Sequence, residues 1–385
     1  MTNMESTVKE IILKKFERLV KFFNILLIIH NMGYRTIKPR FYNYFIVLII
    51  FVSTCFNIKH IFLTYNSFNR IQATYTITFI AVHIQSLGKA LSIVIDYNDF
   101  KKLFEEIGKI YTDIDHPLIM ERRMVNNRTL LRNVIYGLLI YSVGLWFGEI
   151  FLQVFISSQG GIPFPMQYYI PFIEEDNPYF FIVNSIFQDA VYFIALTSIN
   201  AVDVIIFTMT FQFRSELICL TEVIAQLNES EVYSVNKGFL RDIFRMHLNT
   251  IRLFNILSKI YFYMSLAQVT SSFHGLCFLL YGVLVHGLDI SSLIILIVVT
   301  GQLFGFCLIG ELLYAKTASL PNVFYLTKWY EFSSRDKKDL ALMLQMSQQA
   351  YVLKAAGVID VSIFTFVEVI KLAGSYCAIF FALSK

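Results

Sequence analysis

The stretch 290–312, ISSLIILIVVTGQLFGFCLIGEL, decides the class of fold. It is predominantly apolar, and Glu311 near its end is its single charged residue. A bilayer core about 30 Å thick asks for roughly 20 mostly apolar helical residues, because backbone N–H and C=O groups in lipid must be satisfied within the helix. Working outward, the same reading predicts seven spans, at 41–58, 71–95, 133–156, 179–209, 260–284, 290–312 and 355–383. The third and fourth carry Glu149 and Asp189, and the seventh carries Asp360, Glu368 and Lys371. Composition agrees. Of 385 residues 56% are hydrophobic and only 16% charged, against about 45–50% and 25% in a water-soluble domain.

The charge is +4, with 32 basic and 28 acidic residues dispersed along the chain, which argues against a nucleic-acid surface. Placement matters more than the sum. The tail up to Arg40 holds eight Lys and Arg, 96–132 holds seven, 208–253 five and 315–350 five, whereas 59–70 holds two and 157–178 and 285–289 none. Basic loops stay in the cytoplasm, so the expected topology has the N-terminus inside and the C-terminus outside. That is the reverse of a G-protein-coupled receptor. No Asp-Arg-Tyr follows span three, and Asn177-Pro178-Tyr179 falls in a loop. The sequons at Asn127 and Asn228 lie in predicted inside loops, where glycans are not added.

The first 20 residues are charged throughout, so no cleaved secretory signal is expected. Residues 5–30 space Val8, Ile12, Phe16, Leu19 and Phe23 helically between lysines and arginines. Such a helix suits the inner leaflet or packs on the bundle. Cys55, Cys219, Cys277, Cys307 and Cys377 read as buried thiols, with no CxxC spacing. His83, His274 and His286 share no metal-ligand spacing, and no cofactor is expected. The longest inside loop is too short for a catalytic domain and carries no GxxxxGK, HExxH or GxSxG, so an enzyme is excluded.

Span seven has only 13 uncharged residues after Lys371, at 372–384, so a full crossing must include Glu368 and Lys371. Ionisable residues at membrane depth face a bundle or a watery path. At about 100° per residue Glu368, Lys371, Ser375, Ile379 and Leu383 share one face. In a symmetric assembly that face gives a polar vestibule narrowing to an apolar ring, and apolar constrictions gate by dewetting. The alternative is that Ile379 and Leu383 touch lipid and Glu368 pairs locally with Lys371.

The last quarter reads Asn322-Val-Phe-Tyr-Leu-Thr-Lys-Trp-Tyr330-Glu-Phe, Arg335-Asp-Lys-Lys-Asp-Leu-Ala-Leu-Met-Leu-Gln345, Ala355-Ala-Gly357, then Thr365-Phe-Val-Glu-Val-Ile-Lys-Leu-Ala-Gly-Ser375-Tyr376. This arrangement resembles the insect odorant receptors, and the length and seven spans agree with it; Gln349-Ala350-Tyr351 departs from it where the family often has proline. The resemblance implies an all-α membrane protein, a subunit of a ligand-gated, nonselective cation channel in which four last helices line a central pore. It further implies an odorant-specific subunit working with a shared olfactory co-receptor, since no long insertion precedes span five. The plasma membrane of olfactory neuron dendrites is the implied location.

On that likeness the chain divides into a cytoplasmic amphipathic segment (1–40), a ligand-binding bundle (41–314), a cytoplasmic anchor region (315–354) and a pore-lining span (355–385). Ile379 and Leu383 fall at the family's gate positions, with Ser375 and Glu368 as secondary pore residues. The implied pocket for a small volatile lies between spans two, three, four and six. Its candidates are Tyr75, Phe79 and His83, then Tyr141, Gly144, Gly148 and Phe151, then Phe187, Val191 and Ile194. They suit a mainly apolar ligand with a few polar anchors. Gly144 and Gly148 fit close helix packing as well as space for a ligand. A gustatory-type channel without co-receptor remains an alternative. A transporter would use Glu149 and Asp189, but no repeat or matched pair of broken spans supports one.

Overall fold

The computed structural model describes residues 41–64, 70–112, 117–123, 125–126, seven positions between 136 and 147, residue 170, and 176–228, 238–288, 290–349 and 351–383. The expected N-terminal segment, most of the third span and Asn127 lie outside the described residues.

Helices α1 (Phe41–Thr64), α2 (Arg70–Ile95), α3 (Tyr97–Thr112), α4 (Phe180–Ala225), α5 (Phe239–His286), α6 (Ile290–Tyr325) and α7 (Ser334–Ser347) precede a two-stranded hairpin, β1 (Lys354–Ala355) and β2 (Ile359–Asp360). The closing helix α8 (Ile363–Leu383) follows. Among the described residues, α1, α2, α4, α5, α6 and α8 are long and apolar enough to cross a bilayer. The described positions of the third span, including Tyr141 and Gly144, are helical.

The long helices overrun the apolar stretches. At 1.5 Å per residue, α4 with 46 residues and α5 with 48 are each about 70 Å long, more than twice a hydrocarbon core. Their extensions reach the end of the bundle where the basic loops gather. There Leu220, Val223 and Ile224 of α4, Phe239 and Ile243 of α5, Leu320 and Phe324 of α6, and Leu340 and Met343 of α7 form a separate core. Buried Arg123 ties this region together, its Nε donating to Glu216 at 3.1 Å and its Nη1 to the carbonyl of Ile110 at 3.1 Å. Asn228 accepts the amide of Lys328 at 2.8 Å. Helix α3 packs by its apolar spacing on the main core instead, burying Phe100, Leu103, Phe104 and Ile107 there while Lys101 and Lys102 face outward.

Two expectations are corrected. The seventh span does not begin at 355, because 354–360 form a hairpin in which Lys354 faces Asp360 and Ala355 faces Ile359. The Ala-Gly turn makes this possible: Ala356 (φ 51°) and Gly357 (φ 73°) take the left-handed conformation that tightens such turns. Cys55 is exposed on α1, whereas the other four cysteines are buried. It sits on the outer face of a helix that packs mainly on α2, so its surroundings are not core.

Candidate functional site

Three of the predicted pocket residues meet structure that explains their placement. Phe79 is buried on α2 and stands edge-on to Tyr192 of α4, with ring centroids 5.1 Å apart. One turn later His83 lies 6.4 Å from the same ring. Its Nδ1 is 2.8 Å from the carbonyl of Phe79 and its Nε2 3.4 Å from Ser53 Oγ of α1. Tyr141 donates its hydroxyl to Asp203 at 3.2 Å and tilts against Phe207 at 6.1 Å. Both polar anchors are therefore engaged by protein, and ring faces form most of what they offer a ligand.

The remaining candidates divide. Val191 is buried, Ile194 half-buried and Phe187 exposed, and the α4 ring that meets Phe79 is that of Tyr192. A Cβ at Gly144 would meet nothing within 4 Å. The Tyr75 side chain, Gly148 and Phe151 lie outside the described residues. Asp189 is half-buried on α4, and Glu149 is not described.

Sequence reasoning missed the polar centre of this bundle. Lys89 of α2 donates to Asp203 Oδ1 of α4 at 2.5 Å, and the two side chains are 0% and 2% exposed. Gln302 of α6 donates to Oδ2 at 3.0 Å beside the Tyr141 hydroxyl. One carboxylate thus gathers donors from three other spans. Beside it Gln85 of α2 donates to Gln268 of α5 at 2.6 Å, and Gln268 to Ser272 at 3.0 Å. A buried charge is tolerable only when paired and fully hydrogen-bonded, and a satisfied network fixes one relative arrangement of its helices. The readable signal was Lys89, alone among charges in the second span, and Asp203, which with Asp189 is one of two acids in the fourth.

Helix α8 rests on α5 and α6 through a narrow stripe of Thr365, Val369, Ala373 and Cys377, one residue per turn. Its start is held firmly. Ser362 Oγ accepts the amide of Thr365 at 3.3 Å as an N-cap, and Glu311 of α6 accepts the amide of Ile363 at 3.2 Å. A carboxylate at a helix N-terminus also complements the macrodipole. Gly310 makes this approach possible, since a Cβ there would overlap the carbonyl oxygen of Val361. The amide of Ala356 donates to the carbonyl of Phe262 at 3.3 Å, binding the hairpin to α5.

The predicted pore residues lie away from that stripe. Ser375, Ile379 and Leu383 are exposed, the last two by 52% and 80%, and Lys371 donates to Glu368 at 3.1 Å. Their face is centred roughly 120° around the helix from the buried stripe, taking 100° per residue. Tyr376 leans on Phe273 of α5 and Phe380 stacks with Phe278, which steadies the flank between the two faces.

Comparison with known proteins gives a consistent result. The family described as 7tm Odorant receptor matches residues 69–374. Odorant receptors 33c and 49a of Drosophila melanogaster are each 26% identical over 151 residues, covering 38% of this chain and 39% and 38% of theirs. These alignments span about two fifths of those relatives. Odorant receptor 85b of the same species is 22% identical over 326 residues, 80% of this chain and 82% of that one. The olfactory receptor OR5 of Machilis hrabei, solved in complex with eugenol, superposes with a TM-score of 0.80 at 16% identity over 97% of this chain and 99% of that one. Its structure solved without mention of a ligand gives 0.79, also at 16% identity, over 96% and 98%. The match over most of the chain, together with the shared fold, places this multi-pass membrane protein among receptors rather than enzymes: it belongs to the odorant receptor family.

Proposed function

We propose that this chain is an odorant-specific subunit of a ligand-gated, nonselective cation channel, assembled with a shared olfactory co-receptor as a heterotetramer in the plasma membrane. The observation that carries this reading is the division of α8: one stripe packs on its own subunit, and a separate face bearing Glu368, Lys371, Ser375, Ile379 and Leu383 does not. A helix with ionisable residues on an unpacked face is costly in lipid and suits the lining of a shared aqueous path. Ile379 and Leu383 form the apolar gate, with Ser375 and Glu368 toward the vestibule. The basic loops are cytoplasmic, the C-terminus is extracellular, and segments 1–40, 41–314 and 315–354 serve as inner-leaflet segment, ligand bundle and anchor, while within 355–385 the pore-lining part is the helix Ile363–Leu383.

A small, mainly apolar volatile binds among Phe79, His83, Tyr141 and their neighbours. To open the channel it must bind the open arrangement better than the closed one. Helix α6 supplies a route for that preference. Gln302 sits in the Asp203 network, and Gly310 and Glu311, eight and nine residues further on, hold the start of α8. A shift of α6 against α4 is thereby delivered about 12 Å along the same rigid helix to the pore helix.

Whole-cell current tests the proposal. Cells expressing this chain with the insect olfactory co-receptor should pass cation current when small volatile aromatics, esters and alcohols are applied. Ile379→Ala or Leu383→Ala should raise resting current or alter selectivity while surface expression is kept. Current from this chain alone would favour a gustatory-type channel, and saturable solute uptake without current a transporter.

A further inference from the structure

Helices α3 and α5 enclose a groove of about 320 Å³ just beyond the apolar part of the bundle. It is lined by Asp99 and Lys102 from α3 and by Leu248, Arg252, Asn255 and Lys259 from α5. The α5 residues fall at successive turns, so one stripe about 16 Å long faces Lys102. Three cations against one acid leave the lining strongly positive.

Two of those cations are uncommitted. Arg252 shares Glu106 with Lys109, its Nη1 lying 3.5 Å from Glu106 Oε2. Lys102 and Lys259 form no ion pair among the described residues, and both are exposed. The acids close by are Asp99 in the lining, Asp96 at the bend between α2 and α3, and Glu106, which Arg252 and Lys109 share. Lys102 and Lys259 stay outside that pairing, and an anion between them relieves the repulsion of like charges.

The level of the groove selects the anion. The apolar run of α2 ends at Ile95, and that of α5 begins at Ile260, directly after Lys259. Lys259 therefore marks the boundary of the hydrocarbon, and Lys102 and Arg252 lie at headgroup depth. We propose that this groove binds the phosphorylated headgroup of an inner-leaflet inositol lipid. The volume falls within the range of small-molecule sites, and juxtamembrane basic clusters attract such lipids. Assignment to the inner leaflet rests on the orientation given under Proposed function.

The test uses the full-length receptor purified into phosphatidylcholine nanodiscs, with fluorescent dioctanoyl phosphatidylinositol 4,5-bisphosphate as probe and anisotropy as readout. Saturable binding is expected, weakened roughly thirtyfold in the double variant Lys102→Gln/Lys259→Gln, at about tenfold per 1.4 kcal/mol and about 1 kcal/mol per basic residue. The control Lys337→Gln/Lys338→Gln on α7 should bind as wild type, and all three proteins should elute identically on size exclusion. Equal loss in both double variants, or no loss in the first, overturns the site. Soluble inositol trisphosphate binding as tightly as the lipid overturns the lipid source. A tag on the N-terminus that is reachable in intact cells would refute the orientation and the lipid source with it, whereas absence of odorant current would count against the channel reading alone.

Discussion

Gly310→Ala offers a direct measure of how tightly α8 is fastened to α6. The added Cβ would overlap the Val361 carbonyl oxygen and stand 2.7 Å from Val361 Cγ1 and 3.0 Å from its carbonyl carbon. Overpacking costs about 1–3 kcal/mol, and the upper figure applies because the obstacle is backbone rather than the tip of a flexible side chain. Alanine returns about 1 kcal/mol of helix propensity, leaving a net loss of roughly 2 kcal/mol. Gly305→Ala, on the same helix with nothing within 4 Å of its Cβ, should be neutral or slightly stabilising. Thermal challenge of detergent-solubilised receptor followed by size exclusion separates the two: Gly310→Ala should lose the intact peak at a lower temperature and Gly305→Ala should not. Equal behaviour of the two variants would refute the close approach of α6 to the residues that start α8.

Three further outcomes follow from the same geometry. Lys89→Met or Asp203→Asn alone should cost about 3–5 kcal/mol by stranding a buried charge or its donors, while the double variant should cost far less than the sum; additive losses in a thermal double-mutant cycle would contradict the ion pair. Burial, reinforced by neighbouring Asp99, raises the Asp96 carboxyl from 3.8 to about 6, and its Oδ2 is buried with no hydrogen-bond partner among the described residues. The folded chain holds that proton to higher pH than the unfolded one, so stability falls as pH rises from about 4 to 6 and the penalty persists above. Asp96→Asn should therefore stabilise the receptor by roughly 2–3 kcal/mol at pH 7 and by nothing near pH 4, whereas a pH-independent gain would dismiss the carboxyl as its source. Endoglycosidase should leave mobility unchanged, because Asn127 and Asn228 face the cytoplasm in the proposed orientation; a shift abolished by Asn228→Gln would reverse the topology.

Six of the expected spans were readable because lipid imposes a plain requirement, about 20 mostly apolar residues in a row, and 290–312 meets it without help from any other segment. Their ends were not readable. Beyond 209 in α4 and before 260 in α5 the apolar residues bury against α6 and α7 instead of lipid, so charged residues such as Arg214 and Arg245 sit within helices that simply continue. Where the helix of span seven starts depends on left-handed backbone at Ala356 and Gly357 and on contacts with Gly310 and Phe262, none of which periodicity records. On α4 spacing selects Val191, whereas the ring that meets Phe79 and His83 is its neighbour Tyr192, a contact that depends on how α2 and α4 pack. Lys89 and Asp203 are 114 positions apart, and in the sequence each looks like a charge without a counterion in an apolar segment. Only their meeting turns two liabilities into the centre of the bundle.

The way α8 is fixed makes it a cantilever. Its root is clamped by the hairpin, by Glu311 and by the bare backbone of Gly310, while its tip at Leu383, 80% exposed, projects past the stacking of Phe380 on Phe278. Ile379 lies about 24 Å from the clamp and Leu383 about 30 Å, at 1.5 Å per residue. A tilt of roughly 5° at the root sweeps the tip by about 2.6 Å at that length, close to the diameter of a water molecule. In the pore proposed above, displacements too small to unpack a core would in this way wet or dry the constriction, and residues at the tip gain the most from any motion that begins at α6.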